Sequence, residues 1–314
     1  MQLQQNGIVN LIGKSDMKHI GFIGASGLMG HGIAKNLLAK GFAVSLTVHH
    51  NRERVADLLA AGAVEAAGPK ALGQCDAVIL CVTGTPQVEQ CLLGDDGLLA
   101  HAKSGMVVID TSTSEPESTL RLGDLCASRG VTLVDAPLAR SAPEAELGKL
   151  NTMVGATPEV FARIEPIFKA YCENIFHVGG PSTGHTIKLL NNFVAQAICT
   201  ATAEAFAVGA KAGADLRQLV KVISAGGVNS GLFQAMAKTL DGDFTGLTFE
   251  LDNARKDVRY YGHLAEMVVV PAPVGQAVHQ SLAIASALGH GAKFVPALVT
   301  AQEQLTGARI APVV

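Results

Sequence analysis

A doubly wound α/β sheet followed by an all-helical domain is the fold this chain predicts, and three observations predict it. Strand-like and helix-like segments alternate through the first half of the 314 residues. A glycine-rich turn joins the first strand to the first helix. Strand patterns stop near residue 182, after which the apolar residues recur with helical spacing. Such alternation predicts a parallel sheet with helices on both faces, and the length allows two domains with a core each. The boundary falls in the glycine-punctuated stretch 179–184, which divides the chain into an extension (1–16), a sheet domain (17–181) and an all-α domain (182–314).

The strands are expected at 18–24, 43–49, 76–82, 106–110, 131–134, 151–155 and 174–178. Between them, helical patterns run near 28–40, 52–61, 85–93, 116–128 and 158–170. Residues 184–212 (GHTIKLLNNFVAQAICTATAEAFAVGAKA) form one long helix, rich in Ala and nearly uncharged in its middle. A helix apolar on most faces is buried, and this one is expected between the two domains or against another subunit. Further helices follow at about 215–224, 229–239, 248–266 and 273–289.

Composition excludes several classes. Charged residues are 16% and the hydrophobic set 48%, so the chain is globular rather than disordered. A net charge of −3 gives no bulk attraction for nucleic acid or an anionic membrane. Six cysteines (75, 81, 91, 126, 172, 199) form no C-x-x-C pair, which fits a reducing cytoplasm. No apolar run reaches the ~20 residues that span a bilayer. Residues 1–16 lack a signal peptide's basic and apolar regions, and Met17, just before the first strand, is a plausible native start. No metal is expected, because the Cys, His and acidic residues lack ligand spacing.

Chemistry first enters at the turn G-A-S-G-L-M-G, residues 24–30. Gly24, Gly27 and Gly30 punctuate it, and Ala25, Ser26, Leu28 and Met29 fill the gaps. Set between a strand (Ile20, Phe22, Ile23) and a helix with a buried stripe (Ile33, Ala34, Leu37, Leu38), it suits a Rossmann-type dinucleotide site. Main-chain N–H groups at a helix N-terminus can there approach a pyrophosphate without Cβ interference. The first gap is one residue longer than in G-x-G-x-x-G.

The end of the second strand reads SLTVHHNRERV, with no carboxylate before Glu53. An acidic residue there would accept from a ribose 2′-OH, whereas Arg pairs with a 2′-phosphate. Asn51 and Arg52, with Arg54 behind them, therefore favour NADP over NAD. Val82 and Thr83 end another strand and would face the cofactor, and Thr113 ends a third. Arg140 and Ser141 lie in the loop after the fifth strand, where an Arg makes a better anion clamp than average. On the long helix, Lys188 and Asn192 are four residues apart and share a face. Among Ile187, Leu189 and Leu190, a lysine has its pKa pushed down by desolvation, which suits proton exchange with an alcohol.

Taken together, these segments resemble the β-hydroxyacid dehydrogenase family, with members such as 3-hydroxyisobutyrate dehydrogenase and tartronate semialdehyde reductase. The resemblance rests on IGFIG…GLMG at 20–30, IDTST at 109–113, DAP with G-x-L-x-x-M-V-G through 135–155, GHTIKLLNN at 184–192, GDF…RKD at 242–257 and GHG at 289–291. It implies NAD(P)-dependent hydride transfer to or from a short β-hydroxy acid or semialdehyde; separately, the apolar long helix, too much of which a lone monomer would leave uncovered, points to a homodimer or homotetramer. The resemblance makes Lys188 the general acid/base and Asn192 the residue holding substrate beside it. Thr113, Val82, Thr83 and Lys256 become cofactor contacts. Where the family carries S-G-G after its DAP motif, this chain has Ala139, Arg140 and Ser141, similar to the variant in sulfolactaldehyde reductase. That points to a carboxylate or sulfonate head group facing Arg140. Imine reductases share the architecture but typically place Asp or Tyr at position 188, and a non-catalytic cofactor-binding relative would be expected to have lost Lys188.

Overall fold

The computed structural model describes residues 17–49 and 51–312, so the extension 1–16 lies outside the described residues. The chain forms two compact units: residues up to Ser112 with Thr119–Gly184, and Thr113–Ser118 with everything from His185 onward.

In the first unit, β1 (His19–Ile23), α1 (Leu28–Ala39), β2 (Ala43–Thr47), α2 (Ala56–Ala60), β3 (Val64–Ala66), β4 (Ala77–Leu80), α3 (Thr85–Leu93), β5 (Val107–Asp110), α4 (Pro116–Ala127) and β6 (Thr132–Asp135) follow the expected alternation. Their strands pair in parallel in the order β3-β2-β1-β4-β5-β6. The order reverses between β1 and β4, and in open sheets of this kind ligands bind at such a switch point. Successive residues of a strand face opposite sides. Ile20, Phe22, Ile79 and Ile109 accordingly pack with Ile33, Ala34 and Leu37 of α1 on one face. Ile23, Val78, Leu80 and Val108 pack with Val88 and Leu122 on the other. Both faces are covered, hence the near-continuous apolar strands.

Three short elements escaped the sequence pattern: β3, β7 (Leu138–Ala139) and α5 (Ala142–Glu146). The last two correct the expectation of an all-parallel sheet. α5 has five residues and rises only ~7.5 Å, too little to carry the chain back across the sheet. The next strand, β8 (Leu150–Gly155), therefore runs antiparallel to β6 and β7. α6 (Pro158–Phe168) is long enough for a crossover, and β9 (Cys172–Gly179) pairs with β8 in parallel. The expected helix 52–61 divides into a 3-10 turn, Glu53–Val55, and α2.

Helix α7 runs from Thr183 to Lys211. By length and composition it could cross a membrane, which departs from the reading that no apolar run is long enough. Yet Cys199, Ala203 and Phe206 on α7 are core residues of the second unit. They pack with α9 (Gly231–Ala237), α10 (Leu251–Met267), α11 (Pro273–Ala285) and α12 (Leu298–Thr306), while Asp215 caps α8 (Leu216–Ser224) and Ser230 caps α9. Helix α11 stops four residues short of the expected 289, in a π-helical turn over Ser286–His290 where Gly289 has φ +89°. Just past α10, Val269 holds φ +57°, a left-handed position that a β-branched side chain disfavours.

Candidate active site

The glycine turn is shaped by what its residues lack. Gly24 has φ +98°, and a Cβ on it would lie 2.1 Å from the Cys81 carbonyl oxygen. A Cβ on Gly30 would lie 2.1 Å from the Gly24 carbonyl oxygen. Gly27 donates its N–H to Gly24 at 3.0 Å and is the N-cap of α1, with no side chain capping that end. The extra residue of the first gap is absorbed in this Gly24–Gly27 turn, and Ala25 is buried while Ser26, Leu28 and Met29 are partly or largely exposed. The result is a backbone cradle at a helix N-terminus, which fits the pyrophosphate of a dinucleotide.

Across the switch point, Cys81 donates its N–H to the Ile23 carbonyl at 2.9 Å, which fixes the end of β4 beside the turn. Val82 donates its N–H to Ser112 Oγ at 3.1 Å, and Thr83 is exposed. After β2, Asn51 and Arg52 are exposed, and Arg52 is ion-paired with Glu65 on β3. Arg54, not Arg52, reaches the glycine turn, donating from Nη1 to the Ser26 carbonyl at 3.3 Å.

The 139–141 loop is tied down locally. Arg140 adopts φ +79°, the conformation a glycine takes without strain. Its Nη1 donates to the Lys149 carbonyl at 2.6 Å and pairs with Glu173 at 2.5 Å, so one guanidinium nitrogen of three is engaged. Ser141 is the N-cap of α5 and shares a capping box with Glu144. Ala139 lies on β7, paired with Asn151.

In the second unit the polar groups are gathered by burial. Lys188 and Asn192 lie one turn apart on α7, and Asn192 is buried. Asn192 Nδ2 donates to Asp257 Oδ2 at 2.6 Å, and Lys256 Nζ pairs with Asp257 Oδ1 at 3.1 Å. Lys256 Nζ also lies 5.3 Å from the Tyr260 ring centroid and 3.5 Å from the Thr113 carbonyl oxygen, so Thr113 and Lys256 come together. Leu189 packs with Tyr260 and Leu264, and Phe193 stacks on Tyr261 at 4.1 Å, which fixes α7 against α10. Burial drives the Lys188 ammonium below its ordinary pKa; Asp257 opposes this and Lys256 adds to it.

The sequence reading missed Asp257, although it lies inside the quoted R-K-D motif. Its side chain is 3% exposed, and a buried carboxylate must be paired; the only available signal was its place beside Lys256. Among the described residues, no three His, Cys, Asp or Glu side chains cluster as a metal site would require.

Comparison with known proteins agrees with this architecture. The family described as the NAD binding domain of 6-phosphogluconate dehydrogenase matches residues 19–179, and that described as NAD-binding of NADP-dependent 3-hydroxyisobutyrate dehydrogenase matches 182–301. A 2-(hydroxymethyl)glutarate dehydrogenase from Eubacterium barkeri is 31% identical, over 93% of this chain and 97% of that protein. A 3-sulfolactaldehyde reductase from Escherichia coli is also 31% identical, over 88% and 92%. The crystal structure of a 3-hydroxyisobutyrate dehydrogenase from Salmonella typhimurium superposes with a TM-score of 0.77 at 28% identity, covering 90% of this chain and 99% of that one. An imine reductase from Streptomyces aurantiacus, at 20% identity and a TM-score of 0.58 over 90% of this chain and 98% of its own, shares the fold alone. The chain belongs to the β-hydroxyacid dehydrogenase family and is an NAD(P)-dependent oxidoreductase acting on CH–OH groups of small hydroxy acids.

Proposed function

We propose that the protein interconverts a short β-hydroxy acid and its semialdehyde, with Lys188 as the general acid/base. One observation carries this: a lysine whose charge is disfavoured by burial, one helical turn from a buried Asn192 that is itself held by Asp257. A nicotinamide cofactor, when bound, supplies or takes up the hydride at C4, and the cradle of Gly24–Gly30 would hold its pyrophosphate. Lys188 takes the carbinol proton on its neutral amine during oxidation and returns it to the carbonyl oxygen during reduction. Asn192 orients the substrate oxygen near Lys188. Lys256, paired with Asp257, is a cofactor contact, as are Thr113, Val82 and Thr83.

Ala139, Arg140 and Ser141 form the head-group loop. Arg140 keeps two guanidinium nitrogens for a carboxylate or sulfonate, with Glu173 fixing the third. For the cofactor we favour NADP. Arg54 at the glycine turn supports this, with Asn51 and Arg52 flanking it, although Arg52 would have to leave Glu65 to meet a phosphate. A homodimer or homotetramer is the expected assembly, since Ile187, Leu190, Val194 and Val208 leave an apolar stripe exposed on α7. The six free thiols suit a reducing cytoplasm.

The test is a reductase assay of short semialdehydes, anionic and neutral, with NADPH and with NADH, for wild type and Lys188→Ala. Near-wild-type turnover by the variant would overturn the proton-transfer role. A preference for neutral aldehydes, unchanged in Arg140→Ala, would remove the head-group assignment. A lower KM for NADH than for NADPH would reverse the cofactor preference.

A further inference from the structure

His31 stands on α1 just after the glycine turn, and both of its ring nitrogens face carboxylates. Nδ1 lies 2.5 Å from Glu146 Oε1 on α5, and Nε2 lies 3.0 and 3.1 Å from the two oxygens of Asp57 on α2. A neutral imidazole has one N–H, and an ionised carboxylate has none to give. Both contacts are therefore satisfied only by the doubly protonated ring. Lys35, one turn further along α1, pairs with the other Glu146 oxygen at 3.0 Å. β2 (AVSLT), which also packs on α1, brings no titratable side chain. Burial acts to lower the His31 pKa, but the hydrogen bonds and charges of Glu146 and Asp57 outweigh it and raise it above 6.5.

The elements joined here are those that carry the cofactor cradle and the head-group loop. Gly27 is the N-cap of α1, and Ser141 that of α5. The two helices touch backbone to backbone: a Cβ on Gly32 would lie 2.4 Å from the Ala145 carbonyl carbon, and Asn36 Nδ2 donates to the Ala145 carbonyl oxygen at 3.0 Å. A five-residue helix is not stable by itself, so docking on α1 holds α5 in place.

We propose that His31, as an imidazolium, is a positioning residue that locks α5 and the preceding Ala139–Ser141 loop onto α1, so that affinity for an acidic substrate weakens when the ring loses its proton. The link to affinity rests on the head-group reading of that loop; the clamp itself does not. The sign follows from the raised pKa: the clamp is complete below the ordinary histidine value and is lost as pH rises through the folded-state value.

Two measurements on the full chain test this. Hydrogen exchange of the 142–147 amides, corrected for intrinsic rates, is followed from about pH 6 to about pH 9 in wild type, His31→Arg and His31→Gln. An NMR titration of the His31 ring accompanies it. We expect wild type to lose protection about fivefold across the series, the scale of two partly exposed ion pairs. His31→Arg, a permanently charged fork, should stay protected throughout, and His31→Gln should be unprotected throughout. A ring that titrates at or below 6.5, or a wild-type profile matching that of His31→Arg, would overturn the clamp. In a parallel assay with 3-hydroxyisobutyrate, KM should rise with pH in wild type and stay flat in His31→Arg, with kcat equal in the two. If exchange behaves as expected while KM is flat in wild type too, the clamp stands and the coupling to substrate falls.

Discussion

The two units build their candidate sites by opposite means. In the first unit the cradle is backbone, and it exists because Gly24 and Gly30 have no Cβ to place 2.1 Å from a carbonyl oxygen. In the second unit the site is side chain, and Lys188, Asn192, Lys256 and Asp257 are gathered by burial and charge. A backbone site tolerates changes of side-chain chemistry and fails when a methyl group is added. A site of buried charges does the reverse, because Asp257 and Lys256 act on the ionisation of Lys188.

That contrast is open to attack, most strongly at Lys188. Lys188→Ala should lower turnover by about 10²–10⁴-fold while cofactor affinity, read by NADPH fluorescence, stays near wild type. Lys188→Arg should not rescue it, since a guanidinium does not give up its proton. The pH profile of wild type carries the same idea. With the Lys188 pKa lowered by burial, oxidation should gain rate as pH rises through that lowered value, and reduction should lose it.

Gly30→Ala should weaken cofactor binding about tenfold or more and destabilise the fold by about 1–3 kcal/mol through overpacking, as measured by titration and thermal melting. Normal binding by this variant would show that the cradle is not built on close approach. Asp257→Asn should shift the profile rather than abolish activity. With the carboxylate that opposes burial removed, Lys188 should titrate at still lower pH, and the oxidation limb should move with it. An unmoved limb would separate Asp257 from Lys188. The smallest effect lies outside both sites. Val269→Gly, at φ +57°, should stabilise the protein by about 1 kcal/mol and leave turnover unchanged.

How much could be read beforehand differs between the units for the same reason. The alternation of strands and helices was legible because Ile20, Phe22, Ile79 and Ile109 must be apolar wherever helices cover a sheet. The glycine turn was legible because only glycine satisfies it. The reversal at β8 was not, since it depends on α5 being five residues long, and A-P-E-A-E reads equally well as loop. Lys188 and Asn192 were found by helical spacing, and Lys256 by family likeness alone. Asp257 stayed hidden because pairing across α7 and α10 is a tertiary fact. Arg52 drew attention by its place after β2, but the structure gives it to Glu65 and sends Arg54 to the turn. Two arginines two residues apart on an irregular segment cannot be told apart by sequence position.

Arg140 carries a consequence for anyone who would improve this protein. It holds a guanidinium in a backbone conformation that costs any residue with a Cβ on the order of 1 kcal/mol, where glycine would rest without strain. Selection for heat resistance alone would therefore drift toward glycine at this position and discard the chain's departure from the common family loop. On the proposed head-group reading of this loop, a library screened for melting temperature should be counter-screened on acidic substrates, since its most stable members would be those that gave up Arg140.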